Sequence, residues 1–176
     1  MKKMADYGLT IVKDYPIKGV NFIDINGLLA SPEAYKKAIN SFARVVNKYK
    51  TAQSAIITPE SRGFLFASAV AYKTGLPLVV IRKKGKIPSH PYRFQIQNEY
   101  DAYEMEVDAD RLAMFDNYIY IDDILATGQT LVSVKEALAK KNKTITAALH
   151  LTAVSGLKLM RKQNKILQQI PCKEVI

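Results

Sequence analysis

A chain of 176 residues, 48% apolar and 24% charged, has the size and composition of one globular domain with a full core, not of a fibrous or disordered protein. Its net charge of +10, from 26 basic and 16 acidic residues, makes the surface attractive to anions without specifying which. The single cysteine excludes an internal disulfide framework, and no apolar run reaches the length of a membrane span or a signal-peptide core, so the expectation is a cytoplasmic protein without membrane association.

Along the chain, Asp14 to Ile25 combines a turn, an apolar stretch and an aromatic, Phe22, which can either stack on a flat ligand or fill the core. Ser31-Pro32 predicts a helix start, with a side-chain cap and a proline in the first turn. Tyr35, Ala38, Ile39, Phe42, Val46 and Tyr49 then recur at helical spacing and give it one apolar face. Ala55 to Thr58 reads as a short buried strand, and Ser61 is a candidate cap for a helix from about Gly63 to Tyr72. Pro77 to Arg82 is a second strand. The polar-aromatic alternation of 87–107 predicts a twisted hairpin outside the core, long enough to act as a lid. Tyr118 to Ile121 is a third strand, followed by a helix with Leu131, Val134 and Leu138 on its buried face. Ile145 to Leu151 is a fourth strand, and Ser155 is a candidate cap for a short last helix. No repeat or linker divides residues 1–176, which read as a single domain.

Short apolar strands alternating with helices imply an α/β fold, a mainly parallel sheet flanked by helices, with ligands outside the C-terminal strand ends. The run Ile119-Tyr-Ile-Asp-Asp-Ile-Leu-Ala-Thr-Gly-Gln-Thr130 occupies such an end. A turn feeding a helix offers unpaired N–H groups and the positive end of the helix dipole, which suit a phosphate dianion. Gly128 permits close approach, Thr127 and Thr130 add hydroxyls, and Ala126 to Thr130 read as a phosphate cradle, the alternative being an acidic turn and a Thr N-cap with no ligand. Asp122 and Asp123, just upstream, can accept hydrogen bonds from the vicinal hydroxyls of a ribose carrying that phosphate.

Two more strand ends carry phosphate-compatible groups. In Thr58-Pro-Glu-Ser-Arg-Gly63, Arg62 offers a planar donor fork to an anion or simply pairs with Glu60. Arg82-Lys-Lys-Gly-Lys86 supplies further cations of the kind a departing pyrophosphate needs, with Lys84 the member most readily explained as solvated. Lys140-Lys141-Asn-Lys143 reads as a solvated helix end, and His90, without a second histidine nearby, as a surface or packing residue.

Asp14 to Ile25, Glu60 to Phe66, Ile81 to Pro88, Glu99-Tyr100 and the loop from Asp122 to Thr130 are collinear, and together they resemble the type I phosphoribosyltransferase family. The loop is common to the superfamily. The N-terminal segment and the Arg-Lys-Lys-Gly-Lys run are similar to its adenine branch, not to the hypoxanthine-guanine, orotate or uracil branches.

That resemblance implies a small N-terminal hood over the base, about residues 1–30, and a flexible hairpin lid, about 87–107. Val20, Phe22 and Ile23 match the hood positions around adenine. Asp122 and Asp123 with Ala126, Thr127, Gly128, Gln129 and Thr130 match the ribose 5-phosphate site, and Arg62, Arg82, Lys83 and Lys86 match pyrophosphate-contacting positions. Glu99 matches the proposed proton shuttle, with Glu104 and Glu106 as nearby competitors, and Tyr100 its lid neighbour.

The chain departs from the family at Ile23, where many members have arginine, and at Gln129, where a second glycine is common. Gln97-Asn-Glu-Tyr-Asp101 also lacks the usual leucine before Glu and glycine after Tyr. The implied reaction is adenine plus phosphoribosyl pyrophosphate giving AMP and pyrophosphate, with Mg²⁺ held through substrate and water, in a homodimer that binds no nucleic acid. The alternatives are transfer to another purine, hypoxanthine or guanine, and a non-catalytic nucleic-acid-binding regulator on the same fold.

Overall fold

Residues 54–59, Ser-Ala-Ile-Ile-Thr-Pro, are buried at every position, as expected for a strand covered on both faces. In the computed structural model, which describes residues 2–97, 102–153 and 169–176, they form the middle of a sheet. The elements in order are α1 (Lys2–Ala5), β1 (Thr10–Lys13), β2 (Asn21–Asp24), α2 (Asn26–Ala30), α3 (Pro32–Tyr49), β3 (Ser54–Pro59), α4 (Phe64–Thr74) and β4 (Leu78–Lys83). There follow β5 (Pro91–Gln97), β6 (Ala102–Asp108), α5 (Ala109–Ala113), β7 (Asn117–Ile121), β8 (Ile124–Leu125), α6 (Gln129–Ala139), β9 (Thr144–His150), β10 (Thr152–Ala153) and β11 (Cys172–Glu174).

The main sheet has the order β11-β9-β7-β3-β4-β6-β5. Its strands from β11 to β4 are parallel, while β6 and β5 run antiparallel at one edge. The chain leaves β3 toward β4 on one side and later returns to place β7 on the other. The crevice between the C-terminal ends of β3 and β7 is therefore a switch point, where open α/β sheets take ligands. Alternation along the strands feeds two cores. Ile56 and Ile119 pack with Phe42 and Phe66 on one face, and Ile57, Tyr118 and Tyr120 with Leu131, Val134 and Leu138 on the other.

The predicted start of α3 is present: Ser31 Oγ accepts from Ala34 N at 3.2 Å, with Pro32 in the first turn. The expected apolar face is the buried one, with Tyr35 and Tyr49 at its margin. Before it, within the segment expected to form a hood, β1 and β2 make a separate antiparallel pair with Val12 opposite Phe22. No helix among the described residues is long and apolar enough to cross a membrane.

Several expectations need correction. The hairpin of 87–107 is not outside the core: β6 pairs with β4, and Ile96, Met105 and Val107 are buried against Ile81 and Leu112. Polar residues alternate there because only one face of an edge hairpin is covered. α4 begins at Phe64 with Gly63 at the cap position, so Ser61 is not its N-cap residue, although Ser61 Oγ accepts from Gly63 N at 2.9 Å in the turn just before it. Lys143 is not solvated, since its ammonium reaches Asp116 at 3.1 Å and the carbonyl of Ala113 at 3.2 Å. The final strand β11 was not anticipated, and the helix expected from Ser155 lies outside the described residues.

Candidate active site

Asp122 and Asp123 follow β7 directly, and their backbone is held by β9 through Asp122 N to Leu149 O and Leu151 N to Asp123 O. Both are buried, at 9% and 5% exposure, so neither is an ordinary surface carboxylate. Their roles differ. Asp122 is saturated by protein donors: Oδ1 accepts from Ser61 Oγ at 2.6 Å and Asp123 N at 2.9 Å, and Oδ2 from the Tyr120 hydroxyl at 3.0 Å. Burial, then the adjacent Asp123 charge, pushes its carboxyl well above the ordinary range. Asp123 Oδ2 has Arg62 Nε at 2.6 Å, off the N–H axis, so the contact is an ion pair that leaves this buried oxygen without a hydrogen bond. Asp123 is thus held by charge where Asp122 is held by hydrogen bonds.

Arg62 sits on the turn after β3 and does not pair with Glu60. Its guanidinium also donates to Ile23 O at 3.1 Å and lies 4.9 Å from the ring centre of Phe22. One side chain thus ties the Asp122–Asp123 turn to the hood. Glu60 turns the other way. It accepts from Arg82 Nε at 3.1 Å, from Lys83 N at 2.9 Å and from the Lys86 ammonium. Those hydrogen bonds, Lys86 first and the Lys83 amide second, hold its carboxyl down to about 2. Glu60 thereby gathers two of the expected pyrophosphate cations, Arg82 and Lys86, around one anion, while Lys83 contributes only its backbone there.

The two competing glutamates are both engaged. Glu106 is fully buried and accepts from Lys86 N at 2.6 Å, Ile87 N at 2.7 Å and Arg93 Nε at 3.2 Å, which anchors the turn after β4 to the hairpin. Glu104 pairs with Lys84 at 2.7 Å, and the Lys84 side chain is largely exposed, as expected of a solvated basic loop. Glu99 and Tyr100 lie outside the described residues. His90 is on the surface, paired with Asp110 at 2.6 Å.

In the loop after β8, Gly128 has φ 82 and takes the cap position of α6 with no side-chain cap, so the first-turn amides gain no partner from a capping side chain. Ala126, Thr127, Gly128 and Thr130 close a cavity of about 70 Å³ whose inner wall includes Tyr120, Asp122 and His150. Gln129 N is 3.4 Å from Thr127 Oγ1. A larger pocket of about 480 Å³ opens under the hood, lined by Phe22 with Val12, Tyr15, Leu29, Arg62 and Leu65. Tyr15 packs edge-on to Phe22 with ring centres 5.3 Å apart. Of the hood residues expected at a base, only Phe22 lines this pocket. Val20 is 40% exposed, and the Ile23 side chain is in the core, its carbonyl already bonded to Arg62. Tyr120, Ser61 and Tyr15 were missed, although Tyr120 is two residues before Asp122 and so shares its strand face.

The Phosphoribosyl transferase domain model matches residues 24–175. An adenine phosphoribosyltransferase of Thermosipho melanesiensis is 36% identical over 159 residues, covering 88% of this chain and 89% of its own. That of Borreliella burgdorferi is 38% identical over 162 residues, covering 89% and 91%. The chain belongs to the adenine phosphoribosyltransferase family. The crystal structure of the Thermoanaerobacter pseudethanolicus adenine phosphoribosyltransferase superposes with a TM-score of 0.85 at 26% identity, covering 100% of this chain and 99% of the other. The sheet order, hood and hairpin described above are thus those of an adenine phosphoribosyltransferase fold.

Phosphoribosyltransferases generally use Mg²⁺ with their sugar donor. The donor set here suits a hard cation only in part. Asp123 supplies a carboxylate, but its Oδ2 is sealed beside Arg62, and no group of three or more His, Cys, Asp or Glu among the described residues can cage a metal. An ion would take most of its ligands from substrate and water.

Proposed function

We propose that this chain transfers the phosphoribosyl group of phosphoribosyl pyrophosphate to adenine, giving AMP and pyrophosphate. The observation that carries this reading is the meeting of three sites at one switch point: the phosphate loop after β7, the cation cluster after β3 and β4, and the pocket under Phe22. A donor seated there has its 5-phosphate on the amides of Ala126 to Thr130 and its ribose hydroxyls toward Asp123. Its pyrophosphate lies near Arg62, Arg82, Lys83 and Lys86.

In this reading the bond from the anomeric carbon to pyrophosphate breaks as a bond to adenine N9 forms, and the purine loses its imidazole proton. Arg82 and Lys86 exchange Glu60 for the leaving anion and stabilise the charge that builds on it. Mg²⁺, bound with the pyrophosphate, supplies further charge neutralisation. Phe22 and Arg62 hold the base plane against the sugar. We assign the proton transfer to Glu99, because Glu104 and Glu106 are committed to Lys84 and to the turn after β4. Closure of the lid, about residues 87–107, excludes water, which otherwise attacks the same carbon. The protein acts as a cytoplasmic homodimer without nucleic acid.

Turnover with phosphoribosyl pyrophosphate and a panel of adenine, hypoxanthine and guanine tests the reading. Adenine consumption at least tenfold faster than the others supports it. Preference for hypoxanthine or guanine moves the chain to another purine. No turnover together with tight, salt-sensitive binding of RNA or DNA makes it a regulator.

A further inference from the structure

His150 ends β9 on the same side of the sheet as Ala148, directly under the phosphate loop. Its residue is 1% exposed, and its ring packs on Tyr120 with centres 5.8 Å apart. Nδ1 is sealed from solvent with no hydrogen-bond partner. The imidazole is neutral, because burial holds it down to about 3. A neutral imidazole has one N–H and one lone pair, and a sealed N–H without an acceptor is the rarer and costlier arrangement. The proton therefore belongs on Nε2. The same side chain forms part of the wall of the cavity of about 70 Å³ closed by Ala126, Thr127, Gly128 and Thr130. Within that wall the Tyr120 hydroxyl donates to Asp122, and its contact with His150 is ring against ring.

We propose that His150 is a phosphate-binding residue, its Nε2–H donating a hydrogen bond to an oxygen of the 5-phosphate monoester held by this loop. This rests on the reading of the loop as the 5-phosphate site. A neutral donor suits the position, since a cation in the same wall would pair with Asp122 instead of the ligand. It adds a contact from below the loop to those the backbone amides make from above, and it rewards the phosphate alone, not the base or the ribose hydroxyls.

The test uses His150→Phe, which keeps a ring without an N–H, and His150→Gln, whose amide nitrogen restores a donor. Calorimetry with AMP and with adenosine is the readout. A hydrogen bond to a charged group predicts roughly tenfold weaker AMP binding in His150→Phe, partial recovery in His150→Gln, and unchanged adenosine binding in both. Nitrogen NMR of histidine-labelled wild type gives a second readout that needs no variant, because the chain has only two histidines and the other, His90, is on the surface. The Nε2–H tautomer, with an Nε2 resonance that moves on adding ribose 5-phosphate, is expected. Wild-type AMP affinity in His150→Phe, or a histidine signal indifferent to ribose 5-phosphate that nevertheless binds, overturns this proposal and leaves the loop assignment intact. Failure of the wild type to bind AMP or ribose 5-phosphate overturns both.

Discussion

Gly63 lies against Asp122 so closely that a Cβ on it would stand 2.6 Å from Asp122 Oδ1 and 2.8 Å from its Cα. The turn after β3 and the turn after β7 therefore touch through a residue with no side chain. Gly63→Ala must push the two turns apart or displace the carboxylate. We expect a loss of about 1–3 kcal/mol in stability, as for overpacking elsewhere, with a larger fall in kcat/KM than the stability change explains. Urea denaturation alongside steady-state assay checks it, and wild-type values on both counts would show that the strand ends spread freely.

Asp122 and Asp123 are predicted to separate under mutation. Asp123→Asn should weaken phosphoribosyl pyrophosphate binding more than Asp122→Asn, because Asp122 is engaged by three protein donors whereas the Asp123 charge holds Arg62 in place. The double variant should lose most of the affinity by calorimetry. The raised pKa of Asp122 also sets a stability slope. A folded pKa of about 7 against 3.8 means its contribution is full below about pH 4 and is lost as pH rises toward 7. Melting temperatures of Asp122→Asn across that window should therefore fall less steeply than those of the wild type.

Glu60 has the opposite sign. Its folded pKa of about 2 lies below the ordinary 4.5, so its contribution is present above about pH 4.5 and is lost as pH falls toward 2. Glu60→Gln should melt lower than wild type near neutrality, and the gap should close in acid. Because Glu60 competes with pyrophosphate for Arg82 and Lys86, product inhibition by pyrophosphate should tighten by about a few-fold, the scale of a partly exposed ion pair. Weaker inhibition would mean that Glu60 positions these cations more than it occupies them.

Phe22 has Arg62 over its ring and Tyr15 at its edge, and it lines the pocket under the hood. Phe22→Ala removes a stacking surface worth ~1–3 kcal/mol, so the KM for adenine should rise roughly tenfold or more while that for phosphoribosyl pyrophosphate stays near wild type. Equal changes in both constants would point to collapse of the hood instead.

Glu99→Gln should lower kcat with little change in either KM, since the acid–base role is exerted in the transition state. Full activity with adenine in this variant would move the proton transfer elsewhere, and Glu104, held by an ion pair to the exposed Lys84, would be the next residue to replace.

Local patterns determined what is local here. The cap and apolar stripe of α3, the buried run of β3 and the strand, acidic pair, turn and helix from Ile119 to Thr130 are all readable from residue order, because each depends on periodicity or turn chemistry within a few residues. Tertiary structure decided which of those pieces meet. The partners of Arg62 and Glu60 depend on which strand ends lie side by side, and β3 adjoins β7 only because the chain doubles back after β4. The same long-range pairing buries Glu106 under Lys86 and Ile87, draws the 87–107 hairpin into the sheet and recruits β11 to its far edge. Propensity and charge pattern carry no information about a neighbour brought in by packing, so a carboxylate that anchors a loop and one left free for a ligand look alike until the sheet is assembled.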